Sequence, residues 1–239
     1  TQLAEKSAAL KAALDAGKAK LEACTNTVAL DATLRSSQAA LSAVLQDFTV
    51  SVDSGVADKW DGSSKAQPSG SGTAASPYKL GTAAQLAWFA DTVNSGSRSA
   101  CAVLTADIDL GYRPWTPIGC YVDWQNNHPY RGVFDGQGHT VSGLYVTALS
   151  NGYAGLFGYT SGSTTIKNLT VEGEIRLEDV STTAKHIGGI VGEANAKLER
   201  CVSRVRISAA GFGTRDTCAV GGIAGKLSGA MTDCRFEGS

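Results

Sequence analysis

The sequence predicts a mainly β protein in which a parallel β-solenoid follows an N-terminal α-helical hairpin. Three observations predict this fold class: two short phrases recur at a period near 33 residues, apolar and polar residues alternate within each repeat, and leucines lie at helical spacing near the start of the chain. We expect a helical hairpin at residues 1–50, a linker or irregular segment at 51–77, and the solenoid at 78–239.

Leucine spacing predicts the helical hairpin. Within residues 2–23 the leucines lie seven, four and seven positions apart, which marks one face of an amphipathic helix. The apolar positions of the two predicted helices are Leu3, Leu10, Leu14 and Leu21, followed by Leu34, Leu41, Leu45 and Phe48. Alanine supplies much of the rest and favours helix, so two antiparallel helices would bury the two stripes against each other. We interpret the hairpin as a spacer or cap, with a binding role as the alternative.

A change of composition separates the hairpin from the solenoid. Residues 61–77 read "DGSSKAQPSGSGTAASP", and this Ser, Gly and Pro content is typical of a flexible linker or an irregular surface segment. The following "TAAQLAWFADTVNSG" predicts a short helix with Thr82 as its N-cap and Gly96 past its end. The expected buried side of this helix consists of Leu86, Phe89, Ala90 and Val93.

Two phrases recur in the same order and define the repeat. "GLFG" begins at Gly155, "GIVG" at Gly189 and "GIAG" at Gly222, at intervals of 34 and 33 residues. The second phrase follows each time, as "IKNLTVEGEI", "LERCVSRVRI" and "MTDCRFEG". Apolar and polar residues alternate within it, which is typical of a strand with one buried face. Each repeat is therefore expected to add one coil to a parallel sheet.

The glycines of "GGIVG" and "GGIAG" have a structural role in such a fold. We expect them where the chain turns between strands, because these corners need positive φ and close backbone approach. The string "GGIAGK" does not predict a nucleotide-binding loop. Val220 occupies the position of the first required glycine, and Leu227 occupies that of the Ser or Thr.

The six cysteines include no Cys-x-x-Cys pair, so no metal site is predicted. In register, Leu169, Cys201 and Cys234 fall in one column of the repeat. The leucine indicates a buried apolar position, so buried thiols are favoured there, although stacked coils would also place the two cysteines within reach of a disulfide. Cys101 and Cys120 are the better disulfide candidates, although sequence alone fixes no connectivity.

The charge balance excludes several classes of partner. Lys and Arg number 21 and Asp and Glu 22, so the net charge is −1 and no basic field is available for nucleic acid or an anionic membrane. No run of apolar residues is long enough to span a bilayer. The chain opens on "TQLAEKSAAL" without a signal peptide, and its third repeat stops partway at Ser239. We therefore expect a piece of a longer protein, truncated at the C-terminus.

The repeat phrases "GLFG", "GGIVG" and "GGIAG", followed by "IKNL", "LERC" and "MTDC", resemble the GLUG-motif repeats of bacterial surface proteins. The preceding "WDGS", "LTADIDLGYRPWTPIG" and "YRGVFDGQGHTVSGLYV" resemble the opening of such right-handed β-helix domains, so the resemblance covers Trp60 to Ser239. In the N-terminal hairpin, "LRSSQAALSAVLQD" resembles the FIVAR-type helical modules of Gram-positive surface proteins.

The resemblance implies a non-catalytic module at the bacterial cell surface or secreted from the cell. Its expected role is display and adhesion to a glycan or a host protein, with other domains of the parent chain as neighbours and no cofactor. One alternative is an accessory domain of a secreted immunoglobulin A-type metalloprotease. The protease centre would lie elsewhere on the parent chain, because His128, His139 and His186 are scattered and none begins a His-Glu-x-x-His motif.

A β-helix polysaccharide lyase or glycosidase is the second alternative, since such enzymes need paired carboxylates. The candidates are Asp107 and Asp109 in "ADIDL" and Asp135 in "FDGQGH". Asp107 and Asp109 would point to the same side of a strand, and they could also contribute to a calcium site. The structural interpretation, which we favour, is that these aspartates accept hydrogen bonds from turn amides.

The segment "CYVDWQNNHPYRG" is the predicted ligand-binding loop. Its candidate residues are Tyr121, Trp124, Asn126, His128 and Tyr130. Aromatic rings on a loop can contact a sugar ring or a partner protein. The alternative, which the sequence favours, is that these rings cover the open end of the solenoid core, because terminal repeats need caps.

Overall fold

The structure is a computed structural model that describes residues 59–121, 127–178, 184–210 and 217–239, together with six residues between positions 11 and 19. The chain divides into two compact units, Thr1–Asp58 and Lys59–Ser239. In the first unit the described residues have helical backbone, and they are Lys11, Ala12, Asp15, Ala16, Lys18 and Ala19. The rest of the predicted helical hairpin lies outside the described residues.

Residues 59–239 form a β-solenoid of about four turns, which confirms the predicted solenoid. Within the described residues, parallel strands assemble into three sheets. The first sheet runs in the order β1 (Tyr78–Leu80), β2 (Ala102–Leu104), β6 (Val133–Asp135), β9 (Phe157–Lys167), β12 (Val191–Glu199) and β15 (Ala224–Leu227), with β16 (Ala230–Thr232) also paired to β12. The second sheet contains β3 (Ile108–Asp109), β7 (Thr140–Val146), β10 (Thr170–Leu177), β13 (Val202–Ala209) and β17 (Arg235–Phe236). The third sheet contains β8 (Tyr153–Ala154), β11 (Ala184–Gly188) and β14 (Thr217–Gly221).

Stacking of the coils follows the period of the repeat. Thr170 pairs with Val202, and Val202 pairs with Arg235, so equivalent residues of three successive coils lie side by side. The residues just before them form the predicted column, in which Leu169 and Cys201 are buried and Cys234 is half-buried. The Cys201 amide donates to Cys234 Sγ at 3.4 Å. The predicted column is confirmed.

The helix α1 (Ala83–Asn94) precedes the main coils and packs on their core. Thr82 is its N-cap, and the Thr82 hydroxyl accepts a hydrogen bond from the Gln85 amide at 3.3 Å. The predicted buried residues are all buried, and they are Leu86, Phe89, Ala90 and Val93. The Phe89 ring lies 5.9 Å from that of Tyr130 and 6.0 Å from that of Phe134, so α1 joins an aromatic cluster inside the solenoid.

Residues 59–77 are irregular in structure but packed against the solenoid. The Trp60 side chain is buried, the Ala66 amide donates to the Ala84 carbonyl at 3.1 Å, and Ser69 forms an antiparallel bridge with Lys79. This segment therefore belongs to the same compact unit as the coils.

Two kinds of corner connect the strands, and the expected positive φ at the glycines of the repeat motifs is not found. The glycines of "GGIVG" and "GGIAG" do not adopt positive φ, so that part of the expectation is wrong. They serve close approach instead: a Cβ added at Gly188 would lie 2.2 Å from the Val191 carbonyl oxygen, and one at Gly221 would lie 2.0 Å from that of Ala224. The missing side chains let the chain fold back tightly between the third sheet and the first.

Positive φ occurs at the other corner, between the first and second sheets, and non-glycine residues adopt it. Asn168, Arg200 and Asp233 have φ of 52°, 50° and 53°, one residue in each of three successive coils. Left-handed backbone costs a non-glycine residue about 1–2 kcal/mol, so contacts between coils must offset this cost. Asn168 provides such contacts, because its amide nitrogen donates to Asp135 Oδ1 at 2.8 Å and its amide oxygen accepts from Arg200 Nε at 2.7 Å.

We expect Gly188→Ala to lower the free energy of unfolding by about 2 kcal/mol or more, because the new methyl group would overlap backbone atoms of β12 and β15. Chemical denaturation monitored by circular dichroism measures this loss. The control is Gly162→Ala, which has φ of 72° and no atom within 4 Å of the added Cβ, and should cost only about 1 kcal/mol of backbone strain. Equal losses in the two variants would contradict close approach as the reason for the glycine.

Candidate functional site

The predicted ligand-binding loop is a hairpin inserted into one coil. Strands β4 (Cys120–Tyr121) and β5 (Asn127–His128) pair antiparallel. The flanking bridges, Ile118 with Phe157 and Tyr130 with Thr160, are twelve residues apart in this coil but three apart on β9. The chain thus leaves the coil after Ile118 and rejoins it in register at Tyr130. Trp124 and Asn126 lie outside the described residues, as does the side chain of Tyr121.

The base of this hairpin is fixed to the C-terminal end of α1. The side-chain nitrogen of Asn94 donates to the Pro117 carbonyl at 3.1 Å, and its side-chain oxygen accepts from the Gly119 amide at 2.8 Å. On the other strand, Arg98 Nη1 donates to the Asn127 carbonyl at 3.1 Å. These bonds tie the segment before β4, and strand β5 itself, to the helix or to the turn after it.

Polar atoms at the hairpin base have hydrogen-bonding capacity that the described residues do not use. Asn127 Oδ1 and His128 Nδ1 are both buried, and neither has a hydrogen-bond partner within the described part of the chain. Buried polar atoms are almost always paired in folded proteins. Among the described residues, these two atoms are therefore unsatisfied polar groups at the base of the hairpin.

Tyr130 belongs to the core and not to a ligand-binding surface, so its inclusion among the loop residues is corrected. Its side chain is fully buried, its hydroxyl donates to the Ala100 carbonyl at 2.9 Å, and its ring stacks on Phe157 with centroids 5.5 Å apart. Burial raises the pKa of Tyr130 well above its ordinary value. The ring occupies the position at which the chain re-enters the coil, which makes it an interior residue between coils and not a cover for the open end of the core.

Asn94 also lines a cleft of about 320 Å³. The rings of Trp60 and Trp115 meet edge to face at 6.1 Å in its wall, and the indole N–H of Trp115 donates to the Leu156 carbonyl at 3.1 Å. An ion pair between Lys65 Nζ and Asp91 Oδ1, at 2.8 Å, supplies exposed charge beside the rings. Apolar walls with a few polar groups are typical of small-molecule sites.

Asp107 and Asp109, the first two candidate catalytic carboxylates, accept hydrogen bonds from backbone amides. Asp107 Oδ1 accepts from the Thr140 amide at 2.9 Å and lies 3.1 Å from His139 Nδ1. The Thr140 hydrogen bond, with the nearby imidazole, holds the pKa of Asp107 below its usual value. Asp109 Oδ1 accepts from the Gly111 amide at 2.8 Å. Both contacts match the structural interpretation of these residues.

Asp135, the third candidate, links two coils. Its Oδ1 accepts from the Gln137 amide at 3.0 Å and from Asn168 Nδ2 at 2.8 Å, and its Oδ2 lies 3.3 Å from Lys167 Nζ. Burial raises the pKa of Asp135, but the hydrogen bonds from Asn168 and Gln137, together with Lys167, outweigh burial and leave the pKa below its usual value. No group of three or more His, Cys, Asp or Glu residues in the described ranges has a metal-binding arrangement.

A polar cluster that the sequence interpretation missed surrounds Glu193. Its two oxygens lie 2.8 Å from Lys226 Nζ and 2.9 Å from His186 Nδ1, the latter without hydrogen-bond alignment, and Tyr153 OH lies 3.5 Å away. The ring of Tyr159 is 5.4 Å from that of Tyr153. These residues flank the glycine motifs in three successive coils. The recurring position just before and just after each motif is the signal that could have identified the cluster.

Cys101 and Cys120 are free thiols, so the disulfide favoured for them is wrong. Cys101 immediately precedes β2 on the solenoid, whereas Cys120 pairs with His128 in the inserted hairpin. Spacing along the chain does not reveal that the two lie in different substructures. Burial raises the pKa of the Cys120 thiol.

Comparison with known proteins gives few matches. No protein-family model matches the chain, and no solved structure matches it. Within the described residues, no helix is both long and apolar enough to cross a bilayer. The GLUG and FIVAR resemblances therefore rest on the motifs alone.

Two curated proteins are similar to part of the chain. A protein named as a Gly-rich membrane protein, from Evansella cellulosilytica, is 30% identical over 108 residues, which is 44% of this chain and 12% of that protein. Halomucin from Haloquadratum walsbyi is 30% identical over 167 residues, which is 64% of this chain and 2% of that protein. The chain thus spans only a small part of the relatives that it matches.

We expect Asp135→Asn to lower the free energy of unfolding at pH 7 by about 2 kcal/mol, because charge-assisted hydrogen bonds to a buried carboxylate are lost. The lowered folded-state pKa means that this contribution is complete above the unfolded-state pKa, about 3.9, and is lost as the pH falls through the folded-state value. Denaturant titrations from pH 7 down to about pH 2 should therefore show the difference between wild type and variant shrinking in acid. The control is Asp91→Asn, which removes one partner of an exposed ion pair and should change the free energy of unfolding little. A stability difference for Asp135→Asn that does not depend on pH would contradict stabilisation by the ionised Asp135 carboxylate.

We expect Cys101 and Cys120 both to be alkylated when protein purified without reductant is unfolded in N-ethylmaleimide and digested for mass spectrometry. When the folded protein is labelled, Cys201 should react more slowly than Cys101 and Cys120. Burial, with Cys234 nearby, raises the pKa of Cys201 to about 12, so little of its reactive thiolate is present. A peptide pair linked through Cys101 and Cys120 would show that the free thiols are not the state in solution.

Proposed function

We propose that this chain is a non-catalytic extracellular module of a large bacterial surface protein, with a role in display and in adhesion to a glycan or a host protein. The observation that carries the proposal is the β4–β5 hairpin, which is inserted into one coil, fixed to α1 through Asn94, and adjacent to the Trp60–Trp115 cleft. A rigid scaffold that holds a variable loop beside a cleft is a common arrangement for recognition.

Several further features support this proposal. The candidate carboxylates Asp107, Asp109 and Asp135 are occupied by hydrogen bonds to the backbone or between coils, which favours a structural role for them. The net charge of −1 favours neither nucleic acid nor an anionic membrane as the ligand. One similar protein is named as a Gly-rich membrane protein and the other as halomucin, which favours a cell-surface setting.

The handedness of the solenoid, the family of its repeats and the identity of the N-terminal hairpin are part of the same proposal. Right-handed winding is proposed from the general preference of parallel crossover connections for that hand. The coils are proposed to be GLUG repeats, and residues 1–50 a FIVAR-like helical hairpin that acts as a spacer or cap.

The ligand-binding surface is proposed to consist of the hairpin, with Tyr121, Trp124, Asn126 and His128, and the neighbouring cleft. Both indole N–H groups of the cleft donate to carbonyls within the protein, Trp60 to Ser64 at 2.8 Å and Trp115 to Leu156 at 3.1 Å. Because Trp60 and Trp115 are only 8% and 6% exposed, their rings present little surface to a ligand, whereas Lys65 and Asp91 are exposed and can form hydrogen bonds. The exposed charged pair suits the hydroxyl groups of a sugar, and the aromatic contact with the sugar ring is proposed for Trp124 of the hairpin.

We expect Trp124→Ala to reduce binding to at least one class of glycan on an array by about tenfold, a value typical of the loss of an aromatic anchor. Asp91→Ala should weaken the same interaction if the cleft contributes to it. The control is Tyr112→Ala, which removes an exposed aromatic ring outside the proposed surface. Undiminished binding by both test variants would remove the hairpin and the cleft from the ligand-binding surface, and the absence of any glycan or host-protein ligand for wild type would count against adhesion itself.

A further inference from the structure

Cys201 and Cys234 lie side by side in one interior column, in two successive coils. Just before the pair, the Arg200 amide donates to the Thr232 carbonyl at 2.9 Å. Just after it, the Arg235 amide donates to the Cys201 carbonyl at 2.9 Å, and the Cys201 amide itself donates to Cys234 Sγ at 3.4 Å. The backbone is therefore held in register on both sides of the two cysteines. These contacts join two coils of this chain and do not depend on any residue beyond it.

The two side chains have equivalent orientations and lie next to each other as free thiols. Cys201 Sγ donates to the Glu199 carbonyl at 3.4 Å, and Cys234 Sγ donates to the Thr232 carbonyl at 3.3 Å. Each thiol thus contacts the carbonyl two residues before its own position. Burial and then the adjacent Cys234 thiol raise the pKa of Cys201 to about 12, because a second sulfur beside the first opposes its ionisation.

The spacing of the coils suits a disulfide between these residues. Adjacent strands of a sheet lie about 4.8 Å apart, and disulfides join residues whose Cα atoms are about 4.4–6.8 Å apart. Bond formation therefore requires a change of side-chain rotamer and no separation of the coils. Cys101 and Cys120 lack this relation, because one precedes β2 of the solenoid and the other lies in the inserted hairpin.

We propose that Cys201 and Cys234 are an oxidative modification site, at which a low-molecular-weight disulfide such as oxidised glutathione forms a covalent link between two successive coils during folding. One protein thiolate attacks a sulfur of the reagent and releases one thiol, which leaves a mixed disulfide on the protein. Stacking of the coils brings the second cysteine to this sulfur, and its thiolate displaces the second thiol. Two electrons pass to the reagent, and the two protons leave with the two released thiols.

The disulfide closes one coil of the solenoid into a covalent ring. Cys201 and Cys234 are 33 residues apart, which is one repeat. Each coil of a solenoid contacts only its neighbours, so a link between two coils secures the contact on which both depend. The link also restricts the unfolded chain, which stabilises the folded state. Disulfides persist in secreted proteins, which is the setting proposed above, but the pairing rests on the geometry of the coils and not on that proposal.

Refolding of the full 239-residue chain in a buffer of oxidised and reduced glutathione tests the proposal. Free thiols are then blocked with N-ethylmaleimide, and trypsin places the two cysteines on separate peptides, "CVSR" and "LSGAMTDCR". We expect mass spectrometry to find these two peptides joined, and to find them separate after reduction. In denaturant titrations, the oxidised protein should have an unfolding equilibrium constant about 100-fold lower than the reduced protein.

Comparison of each variant with itself, oxidised against reduced, separates the effect of the link from damage to the fold. Cys234→Ser should give no joined peptides and no stabilisation on oxidation. Cys101→Ser, the matched control at another half-buried cysteine, should retain both effects. The proposal would be overturned by recovery of Cys201 and Cys234 as free thiols, by a glutathione mixed disulfide that persists on either residue, by equal stability of the oxidised and reduced forms, or by stabilisation that survives Cys234→Ser.

Discussion

Parallel, in-register stacking of the coils is the constraint on which the rest of this structure depends. Because Thr170, Val202 and Arg235 lie side by side, each residue must suit the residue one repeat before it and one repeat after it. Inside the solenoid this requirement produces continuous apolar columns. On the outer face of the second sheet it produces a charge ladder, in which Arg204 lies between Glu172 and Glu237 at 2.8 and 2.7 Å. Exposed pairs of this kind add little individually, and their main effect is to disfavour a shifted register.

The two corners of each coil satisfy the same constraint by different chemistry. At the glycine corner, the absence of side chains at Gly188 and Gly221 lets two strands approach closely, and the flanking His186 and Glu193 then meet outside the turn. At the other corner, left-handed backbone directs a polar side chain such as Asn168 toward neighbouring coils. Hydrogen bonds between coils therefore offset the backbone strain, and a substitution at either corner affects its neighbours along the stack.

The sequence predicts whatever depends on local spacing and on the period of the repeat. The solenoid, helix α1 with its Thr82 cap, and the column of Leu169 and Cys201 all follow from patterns read along the chain. The features that were not predicted depend on contacts between residues that are distant along the chain. Positive φ at Asn168 and the burial of Tyr130 require knowledge of which residues face each other, and for Tyr130 the loop that leaves the coil and returns hides that relation from sequence spacing. The cluster around Glu193 could have been identified, because its members recur at the same positions beside each glycine motif.

The inserted hairpin shows how such a scaffold can carry an additional loop without loss of stability. Ile118 and Tyr130 hold their places opposite β9 although the chain between them makes a longer excursion than the equivalent part of the next coil. Closing a longer loop costs little additional free energy, since the entropic cost of closure grows only with the logarithm of the loop length. The residues between these two anchors can therefore change without disturbing the stacked core, provided that the contacts of Asn94 with Pro117 and Gly119 fix the base of the hairpin. Under the proposed function, ligand specificity would reside in the loop, while the coils fix its position and orientation.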